Sequence, residues 1–237
     1  MTETPHFALP LLAAAQAQKH VTVNEALMRL DALAAMRLMS LDLTDAPASP
    51  GDGDAYVVAS GATGAWTGHD GQLALWSNGS WMFMLPEPGW RVTDRSTGRL
   101  VLFDGSDWIV DGHISSPGGA ATLMRLLEVD HTLAAGATSV VAGAIPAATQ
   151  VLGVTARVIS AISGGATGWS LGVAGSTNRY GSGLGLGLNS YAAGLTGSPL
   201  SYYSDTDLLI SAEGGSFSAG AVRLAVHLVA LQPPRSV

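Results

Sequence analysis

Cysteine is absent from the 237 residues, so disulfides and thiolate metal sites are excluded. Cations are scarce: 11 Lys and Arg face 18 Asp and Glu, the net charge is −7, and Lys19 is the single lysine. Nucleic-acid binding needs clustered cations that displace counterions from phosphate, so no nucleic-acid partner is expected. Long apolar runs are also missing. The stretch 9–15 is short and contains Pro10, while 221–231 is broken by Arg223 and His227, so no membrane insertion is expected. Glu3 precedes the first apolar run without a basic n-region, which points to a protein made in the cytoplasm without a secretory signal. Charged residues are only 12% of the chain, about half the usual share. What replaces them is small: Gly alone contributes 30 residues. That balance suits short strands joined by tight turns, and a subunit that hides side surface against copies of itself.

The first 21 residues should start extended, because Pro5 and Pro10 interrupt any helix. Thr22-Val-Asn-Glu25 is a capping-box pattern and predicts a helix start, with Thr22 and Glu25 satisfying backbone donors reciprocally. Val23, Leu27, Leu30 and Ala34 then form one apolar stripe, suited to oligomer formation or anchoring. Such a helix could pack on a symmetry axis or lie on its own β domain. Residues 45–54, with Pro47, Pro50, Gly51 and Gly53, read as a linker.

Strand signals follow. Tyr56-Val-Val58 is β-prone, and Leu73–Trp76 with Trp81–Met84 flank Asn78-Gly79 as a hairpin. Val101–Phe103 and Trp108–Val110 flank Asp104–Asp107 in the same way. Trp66, Trp76, Trp81, Trp90 and Trp108 should form a small core for this region. Residues 112–119 read as a second linker, and 122–129 as either a strand or a connecting helical turn. Beyond Ala137 the chain reads as β throughout. Leu152, Val154, Ala156 and Val158 alternate against Thr155 and Arg157; Trp169, Leu171 and Val173 share a face; Val222, Leu224, Val226 and Leu228 oppose Arg223 and His227. Residues 207–211 and 217–231 are expected to pair as a last hairpin. The fold class is therefore mainly β: an N-terminal arm and helix (1–45), a Trp/Gly-rich antiparallel region (50–112), and a jelly-roll-like C-terminal β-sandwich (120–237).

Catalytic constellations are weak. The six His residues show no metal-ligand spacing, and neither a metal nor a cofactor is expected. Asp52 with Asp54, and Asp205 with Asp207, could ligate calcium but fit turn and strand-cap roles better. Acidic residues such as Asp70, Asp94, Asp104, Asp107, Asp111, Glu128 and Asp130 keep a glycosidase as a lesser alternative. No Gly-x-Ser-x-Gly elbow occurs, so an enzyme is not expected. The alternating Gly and Leu of 181–188 suggest a strand whose Gly face admits a close neighbour, at a three-fold axis or under a saccharide. Aromatics interleaved with polar residues mark candidate carbohydrate contacts: Trp169, Asn178, Arg179, Tyr180, Tyr191, Tyr202, Tyr203 and Asp205.

Phe7-Ala-Leu-Pro10, Gln16-Ala-Gln-Lys19, Val21-Thr-x-Asn-Glu-Ala-Leu27, Gly61-Ala-Thr-Gly-Ala-Trp66 and Phe103-Asp-Gly-Ser-x-Trp108 carry a resemblance. This order of blocks, spanning roughly residues 7–110, resembles the fibre and spike proteins of alphaproteobacterial phages and gene transfer agents. His20 stands where the family pattern has an acidic residue. The resemblance implies a virion head-spike or tail-fibre protein, trimeric, associated with other particle proteins, whose distal sandwich binds host capsular polysaccharide during adsorption. A purely structural connector that binds another particle protein is the alternative.

Overall fold

The computed structural model describes residues 2–13 and 19–236; the Gln16-Ala-Gln18 block lies outside them. The chain is mainly β, with one short N-terminal helix, and divides into two compact units.

The first unit begins with an arm that is not simply extended. Residues 2–11 fold into a small hairpin, in which the Thr4 amide donates to Leu9 O at 2.9 Å and the Leu11 amide to Thr2 O at 2.8 Å. Helix α1 (Lys19–Ala35) starts before the expected capping box, so Thr22 lies within it and cannot cap it. Glu25 instead pairs with Arg29 one turn later at 2.7 Å. The buried side of α1 carries Met28, Asp31 and Ala32, whereas Val23, Leu30 and Ala34 of the expected stripe are exposed and Leu27 is half-buried. Asp31 accounts for this orientation. Its carboxylate accepts the Thr4 hydroxyl at 2.6 Å and the Phe7 and His6 amides at 2.8 and 3.0 Å. Burial works against its ionisation, but the Thr4 hydroxyl and the two amides outweigh burial and hold the carboxyl below the usual aspartate range.

A seven-stranded sheet follows: β1 (Arg37–Ser40), β2 (Ala55–Val57), β3 (Leu73–Ser77), β4 (Ser80–Met84), β5 (Arg91–Asp94), β6 (Leu100–Phe103) and β7 (Trp108–Val110), in the order β4-β3-β2-β1-β5-β6-β7. β1 lies at its centre, parallel to both β2 and β5. The expected division between 1–45 and 50–112 therefore does not exist, because the segment after the helix supplies the middle strand of the Trp-rich sheet. The expected hairpins form, and Asn78 and Gly79 take the positive φ values, 49° and 78°, that a two-residue primed turn requires. Four of the five tryptophans expected as one core divide between two clusters, and Trp76 joins neither, meeting Trp81 edge-to-face at 4.9 Å. Trp90 and Trp108 pack against Leu38, Val57, Leu73, Val92 and Val101. Trp66 and Trp81 join Tyr56, Val58 and Ala74, with Trp66 and Trp81 edge-to-face at 5.2 Å. Residues 112–119, expected as a linker, contain strand β8 (Gly112–Ser115) and a turn.

The second unit spans Thr122–Pro233. Its strands are β9 (Ala121–Thr132), β10 (Thr138–Ile145), β11 (Thr149–Gly164), β12 (Gly168–Val173), β13 (Ser176–Leu184), β14 (Tyr191–Tyr202), β15 (Thr206–Glu213) and β16 (Phe217–Gln232). They form two four-stranded sheets, β10-β15-β12-β13 and β14-β11-β16-β9. With β9 counted as first of eight, the sheets hold strands 2-7-4-5 and 6-3-8-1, the connectivity of a jelly roll. Residues 122–129, left open between strand and helical turn, are strand. Inward residues of both sheets make the core: Val154, Ala156 and Val158 of β11, Trp169, Leu171 and Val173 of β12, Leu208 and Ile210 of β15, and Val222, Leu224, Val226 and Leu228 of β16. A register shift between Val151 and Gly153 turns Val151 inward in place of the expected Leu152.

Two expectations fail here. β15 and β16 are not a hairpin: β15 pairs with β10 and β12, β16 with β11, so the turn at 214–216 crosses between sheets. Nor is 181–188 a continuous strand. β13 ends at Leu184, Gly181 and Gly183 adopt φ of 153° and 62°, and the remaining residues loop back along β11, where the Ile162 amide donates to Leu186 O at 2.9 Å.

Asp31→Ala is expected to destabilise the first unit by about 2–3 kcal/mol, since a buried hydroxyl and two amides lose a charged acceptor. In the wild type, stabilisation from Asp31 is present above the unfolded value near 3.8 and is lost as pH falls through the lowered folded one. Amide hydrogen exchange at Phe7 and Leu9, compared between variant and wild type and across acid pH, checks both statements.

Candidate functional site

Strand pairing in the jelly roll builds a row of outward-facing side chains that no sequence window contains. Arg157 of β11 stands opposite Tyr191 of β14 on one side and Arg223 of β16 on the other. In the neighbouring row Thr155 stands between Ala193 and Ala225. These small residues leave a shallow depression of about 400 Å³, walled by Tyr191, Arg157, Arg223 and Glu128.

Tyr191 is 67% exposed. The Arg157 guanidinium lies 5.5 Å from its ring centroid, and Arg157 Nη1 donates to Asn189 O at 3.1 Å. That carbonyl is aimed by the left-handed backbone of Asn189, φ 69°, whose amide donates to Val158 O at 2.9 Å. Arg223 is treated differently. Its Nε and Nη2 donate to the two oxygens of Asp130 at 2.6 and 2.7 Å, and Nε lies 3.6 Å from Glu128. The Arg223 guanidinium holds the Asp130 carboxyl below the usual aspartate range, and Asp130 in turn raises Arg223. The arrangement offers an aromatic platform, a guanidinium and an exposed carboxylate on an open sheet face.

Of the residues expected to contact sugar, three belong to the core instead. Trp169 is fully buried, because its strand alternates it inward, and its Nε1 donates to Gly185 O at 2.9 Å. Tyr180 and Tyr202 are buried and share a hydroxyl–hydroxyl hydrogen bond of 2.7 Å. Burial, then the Tyr202 contact, pushes the Tyr180 phenol well above its ordinary value. Asn178 and Arg179 are exposed on β13, with Arg179 Nη1 3.4 Å from the Tyr202 hydroxyl. Tyr203 is 90% exposed, and Asp205 accepts the Ala147 amide at 2.8 Å. Tyr191 and Tyr203 cannot serve one small site. β14, which begins at Tyr191 and ends one residue before Tyr203, is registered against Arg157 at one end and Thr149 at the other, which places its ends roughly 26 Å apart along β11.

The aspartates weighed as calcium ligands are engaged in turns: Asp52 accepts the Asn78 amide at 2.8 Å, Asp54 the Gly51 amide at 2.7 Å, and Asp207 the Gly143 amide at 2.7 Å. No cluster of three or more His, Asp or Glu with metal-binding geometry occurs among the described residues. Sequence reading missed Arg157 and Arg223 as site residues. Their outward position on alternating strands was legible, but their adjacency to Tyr191 depends on register.

Residues 23–109, which lie in the first unit, match the family described as Protein of unknown function (DUF2793). No curated protein matches the chain. Among solved structures, the chain is similar to one titled "Cyanophage Pam1 capsid asymmetric unit", at 22% identity over 45% of this chain and 84% of that chain, with a TM-score of 0.33.

Trp169→Ala is expected to cost the jelly roll about 3–5 kcal/mol through the cavity it leaves. Tyr180→Phe should cost only about 1 kcal/mol, the worth of one hydrogen bond. Denaturant unfolding of the two variants measures both, and Trp169→Ala with unchanged stability would contradict its placement in the core.

Proposed function

We propose that the protein is an adsorption component, a spike or fibre, of a phage-like gene transfer particle, and that its jelly roll binds host capsular polysaccharide without cleaving it. The observation that carries this reading is the exposed Tyr191–Arg157–Arg223 row over a floor of Ala193, Thr155 and Ala225. Sugars are held by an aromatic against their C–H face and by charged or amide groups at their hydroxyls, and this row supplies both. The resemblance of residues 7–110 to spike and fibre proteins supplies the particle. On this reading the protein is made in the cytoplasm and built into the virion.

The protein acts as a homotrimer on this reading. Val23, Leu30 and Ala34 are exposed on α1, with Leu30 at 59%, and such a stripe suits a partner copy or particle protein. Three shallow sugar sites gain avidity without any new contact, so one weak site per subunit suffices.

A second reading, the structural connector, has its own support. Met124, Leu126, Leu195, Tyr203 and Leu231 are exposed apolar residues of the jelly roll, and Tyr203 with Leu231 flanks a second depression.

Purified full-length protein is expected to bind capsulated host cells and not capsule-deficient ones; equal binding to both would shift the reading to the connector. A Val23→Asp/Leu30→Asp double variant should turn a trimer mass into a monomer mass by light scattering. A wild-type monomer at micromolar concentration would contradict the trimer.

A further inference from the structure

We propose that the polysaccharide bound by this face is acidic, a polymer bearing uronate-type carboxylates, and that Arg157 is the residue that receives the carboxylate. This rests on the reading that the jelly roll binds surface polysaccharide.

The two arginines of the row are neighbours on paired strands, yet their environments differ. Arg223 is neutralised by a bidentate contact to Asp130, with Glu128 beside it. Arg157 meets no carboxylate among the described residues. Its contacts are one carbonyl, Asn189 O, and the face of Tyr191. In a chain of net charge −7 with 11 cationic side chains, an exposed guanidinium without an acidic partner is an available charge. A planar guanidinium presents paired donors that fit a carboxylate through two parallel hydrogen bonds, and one carbonyl leaves most of those donors unspent.

The surroundings suit a sugar that carries such a group. Tyr191 lies beside Arg157, so a pyranose resting its C–H face on the ring would bring its carboxylate to the guanidinium. Ala193, Thr155 and Ala225 leave height for the ring. Across the depression the Glu128 side chain is 54% exposed and touches Arg223 only at 3.6 Å, which leaves its oxygens free to accept hydroxyls. Cation at one end and hydroxyl acceptor at the other give the site a polarity, and a uronate has the matching one. A neutral sugar would leave Arg157 uncompensated.

The test uses capsular polysaccharide extracted from the capsulated host cells, as the native polymer and after chemical reduction of its carboxyls to alcohols. Affinity for full-length protein is measured by titration calorimetry. The native polymer should bind, and the reduced one roughly ten-fold more weakly, as expected for loss of one charge-assisted contact. Arg157→Gln should weaken native-polymer binding by a similar factor and reduced-polymer binding by clearly less, so that the ratio between the two polymers collapses toward one. Its melting temperature should match the wild type, because the side chain is exposed. Equal affinity of the wild type for both polymers would overturn the acidic assignment while leaving polysaccharide binding in place. An Arg157→Gln variant weakened equally toward both would remove Arg157 from the carboxylate. Failure of wild-type protein to bind the native polymer would defeat the underlying reading itself.

Discussion

Register across β14, β11 and β16 is the constraint on which the candidate site depends. The longest ladder in the structure, β11 against β16, runs from Thr149 opposite Ala230 to Gly164 opposite Phe217. A sandwich buries one face of each sheet, so a slip of one residue would carry Val154, Ala156, Val222 and Leu224 into solvent and Arg157 and Arg223 into the core. Burial of the inner face therefore fixes the outer one. The adjacency of Tyr191, Arg157 and Arg223 is a consequence of core packing, which makes a flat, open site rigid without a pocket to enclose it.

The first unit is organised by buried carboxylates. Asp31 gathers the N-terminal hairpin onto α1, and Asp104, at the tip of the β6–β7 hairpin, accepts the Ser106 and Asp107 amides and an ion pair from Arg235. Arg235 also reaches Asp107 at 2.7 Å and Pro117 O at 3.2 Å. The chain thus leaves this unit after Ala121 and rejoins it at Pro234, so both ends of the jelly-roll segment are covalently tied to one unit. In a chain this poor in charge, Asp31 and Asp104 sit where several donors converge, and each joins segments distant in sequence.

Period-two alternation in β11, β12 and β16, and the Asn-Gly and Asp-Gly hairpins, were legible because they are local. The jelly-roll class followed from strand count and turn spacing. What could not be read was whatever long-range pairing decides. Tyr180 and Tyr202 lie in polar stretches, Asn178-Arg179-Tyr180 and Tyr202-Tyr203-Ser204, which look like loop tips; their hydroxyls instead meet each other across the interior. Trp169 shares a face with Leu171 and Val173 by its own alternation, and that signal, not its place among the aromatics of the C-terminal half, decides its position. The Thr22–Glu25 capping box is a valid local signal overridden by the helix beginning at Lys19. β1 reads as the helix tail in sequence and becomes a central strand because only the assembled sheet supplies its two parallel neighbours.

A jelly roll leaves the outside of each sheet available. Here that outside carries a compensated arginine, an uncompensated one and an exposed tyrosine at one end of β14, and an apolar tyrosine–leucine patch at the other. The two ends separate the glycan reading from the connector reading by position. Hydroxyl-radical footprinting of the full-length protein with and without capsular polysaccharide discriminates them most directly. If the sheet face holds the polysaccharide as proposed, oxidation of Tyr191 falls on binding while that of Tyr203 and Met124 does not change. Protection of Tyr203 with Tyr191 unaffected, or no protection of either, would contradict it.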